Sequence, residues 1–226
     1  NPRGLSGEAN NKLIQYHAGK TDDFHTAITH IIKTNNYKSI AIIGFSFGGN
    51  LIIKYIGENT YNLPKQINKV ACASVPFDLN ESVKRLDGTI YFKYFLKKFK
   101  RNVKLRAEKF PKEFSLKDWN KIKNFTQYVE KYVTPYNEFD NAADYWEQTS
   151  CKHFIHNIKI PTLLVNAKDD TFLSDYAFPI NEAKENKNLY LEIPAHGGHA
   201  GFILFNKDKE YYLEKRFTEF IINDEI

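Results

Sequence analysis

Three kinds of side chain in this sequence could act together on a carbonyl carbon. Ser46 stands in Gly44-Phe45-Ser46-Phe47-Gly48, the aspartate pair Asp169-Asp170 follows much later, and His196-Gly197-Gly198-His199 comes after that. A serine hydroxyl is a weak nucleophile until a neutral imidazole accepts its proton. A carboxylate must hold that imidazole in the right tautomer and stabilise the imidazolium that forms. A backbone N–H aimed at the developing oxyanion completes the set, and Phe47, directly after Ser46, is the candidate donor. Glycine-rich strand–helix turns also cradle phosphates. The dinucleotide pattern Gly-x-Gly-x-x-Gly and the phosphate-loop ending Gly-Lys-Ser/Thr are both missing here, however. The His, Asp and Cys residues show no metal-ligand spacing such as His-x-x-x-His with a third ligand, so neither metal nor cofactor is expected.

That chemistry needs the serine on a sharp turn, and the flanking residues read as one. Ile40-Ala41-Ile42-Ile43 is a β-branched run, expected to form a strand buried on both faces of a parallel sheet. Leu51, Ile52 and Tyr55 continue as a helix, giving the strand–turn–helix context of a nucleophile elbow. Ser46 should then sit at strained φ/ψ, with Gly44 and Gly48 as glycine because side chains there would collide with the adjoining backbone.

Further buried strands are expected at Asn68–Val75, Ile160–Asn166 and Asn188–Ile193. With helices between them they form an α/β fold, a mostly parallel sheet with flanking helices and right-handed crossovers. Ligands in such sheets gather at the carboxyl ends of the strands. Ser46, the Ser74–Asp78 turn, the aspartate pair and the histidine pair all fall there. Residues 1–19 read as loop, and Thr21 as a cap for a helix carrying Phe24, Ile28, Ile31 and Ile32 on its buried stripe. A closing helix spans Lys207 to Ile222. From Leu79 to His156 the pattern is helical throughout, so the division is core 1–78, helical cap 79–156 and core 157–226.

Within the cap, Ile90–Arg101 places Tyr91, Phe92, Phe95, Leu96 and Phe99 on one face, with Lys93, Lys97, Lys100 and Lys104 on the other. A cap helix packing its aromatics inward is the favoured reading. Contact with anionic lipid or an acyl chain is the alternative. Interleaved aromatic and basic residues also occur in nucleic-acid binders, but no recognised binding motif accompanies them.

His199 is preferred to His196 as the base, because two glycines before it let the loop swing the ring inward. For the acid, the strand-end loop of this fold commonly reads Gly-x-x-Asp. Ala167 occupies the glycine position, which selects Asp170 and leaves Asp169 to cap the loop or face solvent. The chain order Ser…Asp…His is that of α/β-hydrolases.

Several further stretches carry a closer resemblance. Asn1–Glu8, Tyr16–Gly19, Gly44–Asn50, Ser74–Leu79, Asn166–Asp170 and Gly197–Phe202 together resemble the YheT-like branch of the α/β-hydrolases. The resemblance implies a serine hydrolase of small-molecule carboxylic esters, lipophilic ones under the aromatic cap, with Ser46, Asp170 and His199 as triad. Relatives in that branch include bacterial proteins of unsettled substrate and eukaryotic lipid esterases or phospholipases. The other class of reading is a non-catalytic relative that binds lipid or a protein through its basic cap. The family also carries N-terminal strands and a His-Gly loop supplying a second oxyanion donor. Neither is in this sequence, and losing one such donor typically costs ~10²–10³ in rate.

Composition adds bounds. The 226 residues carry a net charge of +5 and two cysteines, Cys72 and Cys151, too few for a disulfide framework and indicating a reducing compartment. No stretch approaches the ~18 unbroken apolar residues of a membrane span, so a cytoplasmic location is expected. The chain opens at Asn1 and contains no methionine, which predicts that the sequence begins partway through a longer protein and leaves an upstream signal or anchor open.

Overall fold

Four strands run parallel in the computed structural model, which describes residues 2–5, 7–58, 63–203 and 210–223. They are β1 (Ile40–Phe45), β2 (Ile67–Ala73), β3 (Thr162–Val165) and β4 (Leu189–Glu192), ordered β1-β2-β3-β4 in one sheet. Ile42 pairs with Val70, Val70 with Thr162, and Thr162 with Leu189, which brings the carboxyl ends of all four strands to one edge.

The sequence explains why two layers of helix cover the middle of this sheet. Successive side chains of a strand point to opposite faces. Val70, Cys72 and Leu164 enter one core with Ile52, Ile53, Tyr55 and Ile56 of helix α2 (Phe47–Glu58) and Ile28 of helix α1 (Thr21–Thr34). Ala71, Ala73, Leu163 and Val165 enter the other. There they meet Leu213, Phe217 and Phe220 of the closing helix, Tyr212–Ile222. Of the start expected at Lys207, residues 207–209 lie outside the described residues. Lys69, itself buried, donates from Nζ to the carbonyls of Phe220 (3.2 Å) and Ile221 (3.1 Å) and so caps the last turn of that helix.

Two local expectations need correction. Strand β1 is not buried on both faces. It has β2 as its one neighbour in this sheet, and although Phe45 meets the Phe217 ring at 5.9 Å, Ile43 and Phe45 each remain 48% exposed. Thr21 does not cap α1. It is the first helical residue, and its hydroxyl hydrogen-bonds Glu58 instead. Ile31 is also exposed, so the buried stripe of α1 is narrower than its apolar spacing implied.

The chain divides into two compact units. Ala18–Asp78 with Thr149–Ile226 form the α/β unit, and Asn1–His17 with Leu79–Gln148 form a helical unit. The helical unit contains α3 (Leu79–Leu86), α4 (Ile90–Lys109) and α5 (Phe125–Tyr132). Rings hold it together: Phe92 meets Phe125 edge-on at 5.0 Å, and Phe99 stacks on Tyr128 at 4.4 Å. Residues 1–17, read from sequence as part of the core, belong to this unit. The buried Arg106 donates to the Leu13 carbonyl, and Gln15 Nε2 donates to Tyr128 Oη at 3.3 Å. The helical unit also ends before His156. Cys151 belongs to the α/β unit, where its N–H donates to Asn50 Oδ1 at 2.9 Å.

Candidate active site

Strand β1 ends at Phe45 and α2 begins at Phe47, so Ser46 is the whole of the turn between them. Its φ is 51°, in the left-handed region that side-chain-bearing residues rarely occupy. The Ser46 N–H donates to Ala73 O at 2.9 Å, and the Ser46 carbonyl accepts from Asn50 N at 3.1 Å as the first bond of the helix. Phe47, first residue of α2, has one of the four leading N–H groups that a helix leaves without an internal partner.

Close packing of strand on helix makes this turn possible, and glycine supplies the room. A Cβ on Gly44 would overlap Ile52 Cδ1 and lie 3.0 Å from Gly49 Cα. The second crowded position is Gly49, where a Cβ would meet Val75 Cγ2 at 2.5 Å. Gly48, expected to be constrained in the same way, is not. It is exposed in the first turn of α2, and apart from its chain neighbours and its own helix backbone nothing lies within 4 Å of where its Cβ would stand.

Ser46, His199 and Asp170 form one hydrogen-bonded row. His199 Nε2 lies 2.8 Å from Ser46 Oγ, and His199 Nδ1 lies 2.9 Å and 3.1 Å from the two Asp170 oxygens. An ionised carboxylate only accepts, so Nδ1 carries the proton and Nε2 is left to accept from the serine hydroxyl. The Asp170 side chain is fully buried and that of His199 is 20% exposed. Asp170 Oδ1 also accepts the Phe172 N–H at 2.8 Å.

The alternatives are held apart from the row. The His196 side chain is 91% exposed, with Nδ1 3.5 Å from Asp169 Oδ2. Asp169 accepts the Gly198 N–H at 2.8 Å, and that bond, ahead of lesser contributions from Gly197 and His196, holds its carboxyl below the ordinary carboxylate range.

Three features at the strand ends have no clear signal in the sequence. Asn166, fully buried, accepts the Val75 N–H at 2.9 Å and donates to the carbonyls of Val75 (3.1 Å) and Ala177 (2.7 Å), fastening the turn after β2 to the loop after β3. Ser74 is buried at a φ of 55°. The Phe172 ring lies flat on the His199 ring, with centroids 4.1 Å apart and 16° between planes. A polar residue closing a buried strand could have drawn attention to Asn166, but no spacing announces the other two.

Among the described residues, no group of three or more His, Cys, Asp or Glu side chains could hold a metal ion, and no helix is long and apolar enough to cross a membrane. Cys72 is fully buried, which pushes its thiol up to about 12 and leaves it without thiolate chemistry near neutrality.

Comparison with known proteins agrees with this fold. A family model described as the alpha/beta hydrolase fold matches residues 4–205. The putative esterase YheT of Escherichia coli is 28% identical over 209 residues, covering 89% of this chain and 60% of its own length. Phospholipase ABHD3 of Mus musculus is 26% identical over 226 residues, covering 98% of this chain and 54% of its own. Monoacylglycerol lipase ABHD2 of Bos taurus is 29% identical over 205 residues, covering 81% and 47%. This chain thus spans about half to three-fifths of the length of these relatives. Among solved structures, a Pyrococcus furiosus esterase superposes with a TM-score of 0.53 at 17% identity, covering 92% of this chain and 63% of its own. A Bacillus anthracis bromoperoxidase gives a TM-score of 0.54 at 16%, covering 99% and 80%. Sheet and family match agree: the chain belongs to the α/β-hydrolase fold family, and YheT is among the members it is similar to.

Proposed function

We propose that this chain carries the reacting groups of a serine hydrolase that cleaves carboxylic esters, lipophilic ones in particular, through an acyl-enzyme. The observation that carries this reading is the row from Ser46 Oγ through His199 to Asp170, with distances of 2.8 and 2.9 Å. Ser46 Oγ attacks the ester carbonyl while its proton passes to His199 Nε2. The Asp170 carboxylate, accepting from Nδ1, stabilises the imidazolium. The Phe47 N–H donates to the oxyanion of the tetrahedral intermediate. Collapse of that intermediate breaks the bond to the leaving alcohol, which takes the proton from His199. Water, deprotonated by the same imidazole, then hydrolyses the acyl-serine and restores the free hydroxyl. The names of ABHD3 and ABHD2, a phospholipase and a monoacylglycerol lipase, support a lipophilic substrate.

Helix α4 supports lipid-surface contact as part of this reading. Its aromatics Phe92, Phe95 and Phe99 pack within the helical unit against Phe125, while Lys93, Lys97, Lys98, Lys100, Arg101 and Lys104 are exposed. Beside them Ile90 is 75% and Tyr94 57% exposed, and apolar residues flanked by cations suit an anionic bilayer surface.

Fluorophosphonate labelling with mass-spectrometric mapping tests the chemistry, on this chain and on a longer form extended upstream. Label on Ser46, abolished by Ser46→Ala, is the expected result. Label that persists elsewhere in Ser46→Ala, or none at Ser46 in either form, overturns it. Co-sedimentation with vesicles containing phosphatidylserine, and not with neutral ones, tests the surface. Binding unaffected by Lys97→Glu with Arg101→Glu removes α4 from that role.

A further inference from the structure

The acid is one residue of a short segment in which Phe172 also touches the histidine and Asp169 holds the residue before it. Asp170 meets His199 at the Nδ1 edge of the ring. Phe172, two residues on, covers a face of the same ring at 4.1 Å and 16°. Its own N–H donates to Asp170 Oδ1, so the carboxylate and the covering ring are fixed to each other. Asp169, one residue back, binds the N–H of Gly198, which directly precedes His199 and holds a left-handed φ of 58°.

A single edge bond does not fix a ring. An imidazole hydrogen-bonded at Nδ1 alone can pivot about that contact and sweep Nε2 sideways, away from Ser46. A flat aromatic face removes the pivot, because rotation out of the stacked plane forfeits the contact. The same face favours the imidazolium formed when Nε2 accepts the serine proton. The backbone needs its own restraint, since His199 follows two glycines on a loop whose His196 is almost fully exposed.

We propose that Asp169 and Phe172 are positioning residues for His199, so that the segment 169–172 clamps the histidine at three points: the backbone before it, the Nδ1 edge and the ring face. The proposal rests on the reading of Ser46, His199 and Asp170 given above. It also accounts for the paired aspartates, one serving the ring and the other serving the loop that carries it.

The test compares conservative with non-conservative variants. Phe172→Leu keeps apolar bulk without a flat face and is expected to lower kcat about tenfold with KM unchanged, since a small misplacement of a catalytic group acts on the chemical step. Phe172→Tyr restores the wild-type value. Asp169→Ala is expected to lower kcat to a similar extent. Asp169→Asn, which keeps an oxygen to accept from Gly198, stays within about threefold of wild type. A second readout needs no turnover. In a Ser46→Ala background, the downfield proton resonance of the His199 Nδ1–H bonded to Asp170 is sharp with Phe172 in place and equally sharp in Phe172→Tyr. It broadens in Phe172→Leu and in Asp169→Ala.

Full activity with a sharp resonance in Phe172→Leu removes Phe172 from the clamp. Equal losses in Asp169→Ala and Asp169→Asn remove Asp169. A wild-type chain that neither labels at Ser46 nor turns over esters overturns the hydrolase reading, and the resonance then decides the clamp on its own.

Discussion

Ser46 and His199 stand 2.8 Å apart but are held by opposite means. The serine turn is fixed by atoms that are missing. Gly44 and Gly49 let strand and helix touch, and the strain at Ser46 is sustained by the packing on either side of it. The histidine loop is fixed by groups that are present. Lys168 N–H donates to Pro194 O at 2.9 Å, Gly198 N–H to Asp169 at 2.8 Å, and Phe202 N–H to Gly197 O at 2.8 Å. Close packing tolerates no added atom, whereas a hydrogen-bonded loop yields in small steps. The nucleophile turn should therefore fail abruptly and the base loop gradually.

Gly44→Ala puts that contrast to its hardest test. The new Cβ meets not only the movable end of Ile52 but also the backbone of Gly49, at 3.0 and 3.1 Å. Strand and helix must separate, at a cost of about 2–3 kcal/mol, and Ser46 moves with them. Urea unfolding should report the loss, and fluorophosphonate labelling should slow by more than the stability change explains. A variant as stable and as reactive as wild type would show that packing does not hold this turn.

Gly197→Ala is expected to do less, although its contacts look as tight. Its Cβ would fall 2.6 Å from Phe202 Cε1 and 2.8 Å from Ala167 Cβ. Ala167 Cβ is fixed to buried backbone, but Gly197 itself lies in a loop outside any strand or helix, where hydrogen bonds and not strand-on-helix packing set the backbone. We expect a stability loss of about 1–2 kcal/mol, together with a lower kcat at unchanged KM as His199 retreats from Ser46. A loss equal to that of Gly44→Ala would erase the distinction between the two regions.

The same contrast explains what can be read from the sequence. A local motif announces the serine turn, because its strand, its glycines and its helix are contiguous, and short apolar runs place all four strands. The exposed face of β1 is not legible, because burial depends on which strands and helices lie beside it. Nor is the crowding at Gly49 in place of Gly48, because the obstructing Val75 belongs to the turn after another strand. The base loop is harder still. Asp169 lies 29 residues from the Gly198 that it binds, and nothing in either stretch reports the pairing. The attachment of Leu13 to Arg106, 93 residues apart, is illegible for the same reason. Periodicity and turn motifs report local geometry, while a lone polar contact between distant loops leaves no pattern.

The smallest expected effect is at Gly48, and it tests the comparison from the other side. The Gly-x-Ser-x-Gly pattern suggests that both glycines are required by sterics. Here Gly48 is exposed in the first turn of α2, and beyond its chain neighbours and its own helix backbone no atom stands within 4 Å of its absent Cβ. Alanine is favoured over glycine within a helix by about 0.8–1.0 kcal/mol, less near an end where the turn is already frayed. Gly48→Ala should therefore leave stability unchanged or raise it by a few tenths of a kcal/mol, within the scatter of ordinary surface substitutions. Labelling at Ser46 should stay within about twofold of wild type. Normal stability with lost labelling would mean that Gly48 is needed for the approach of the acyl group to Ser46 and not for the turn. Lost stability would mean that the elbow is packed on both flanks, and the asymmetry drawn between Gly48 and Gly49 would have to be given up.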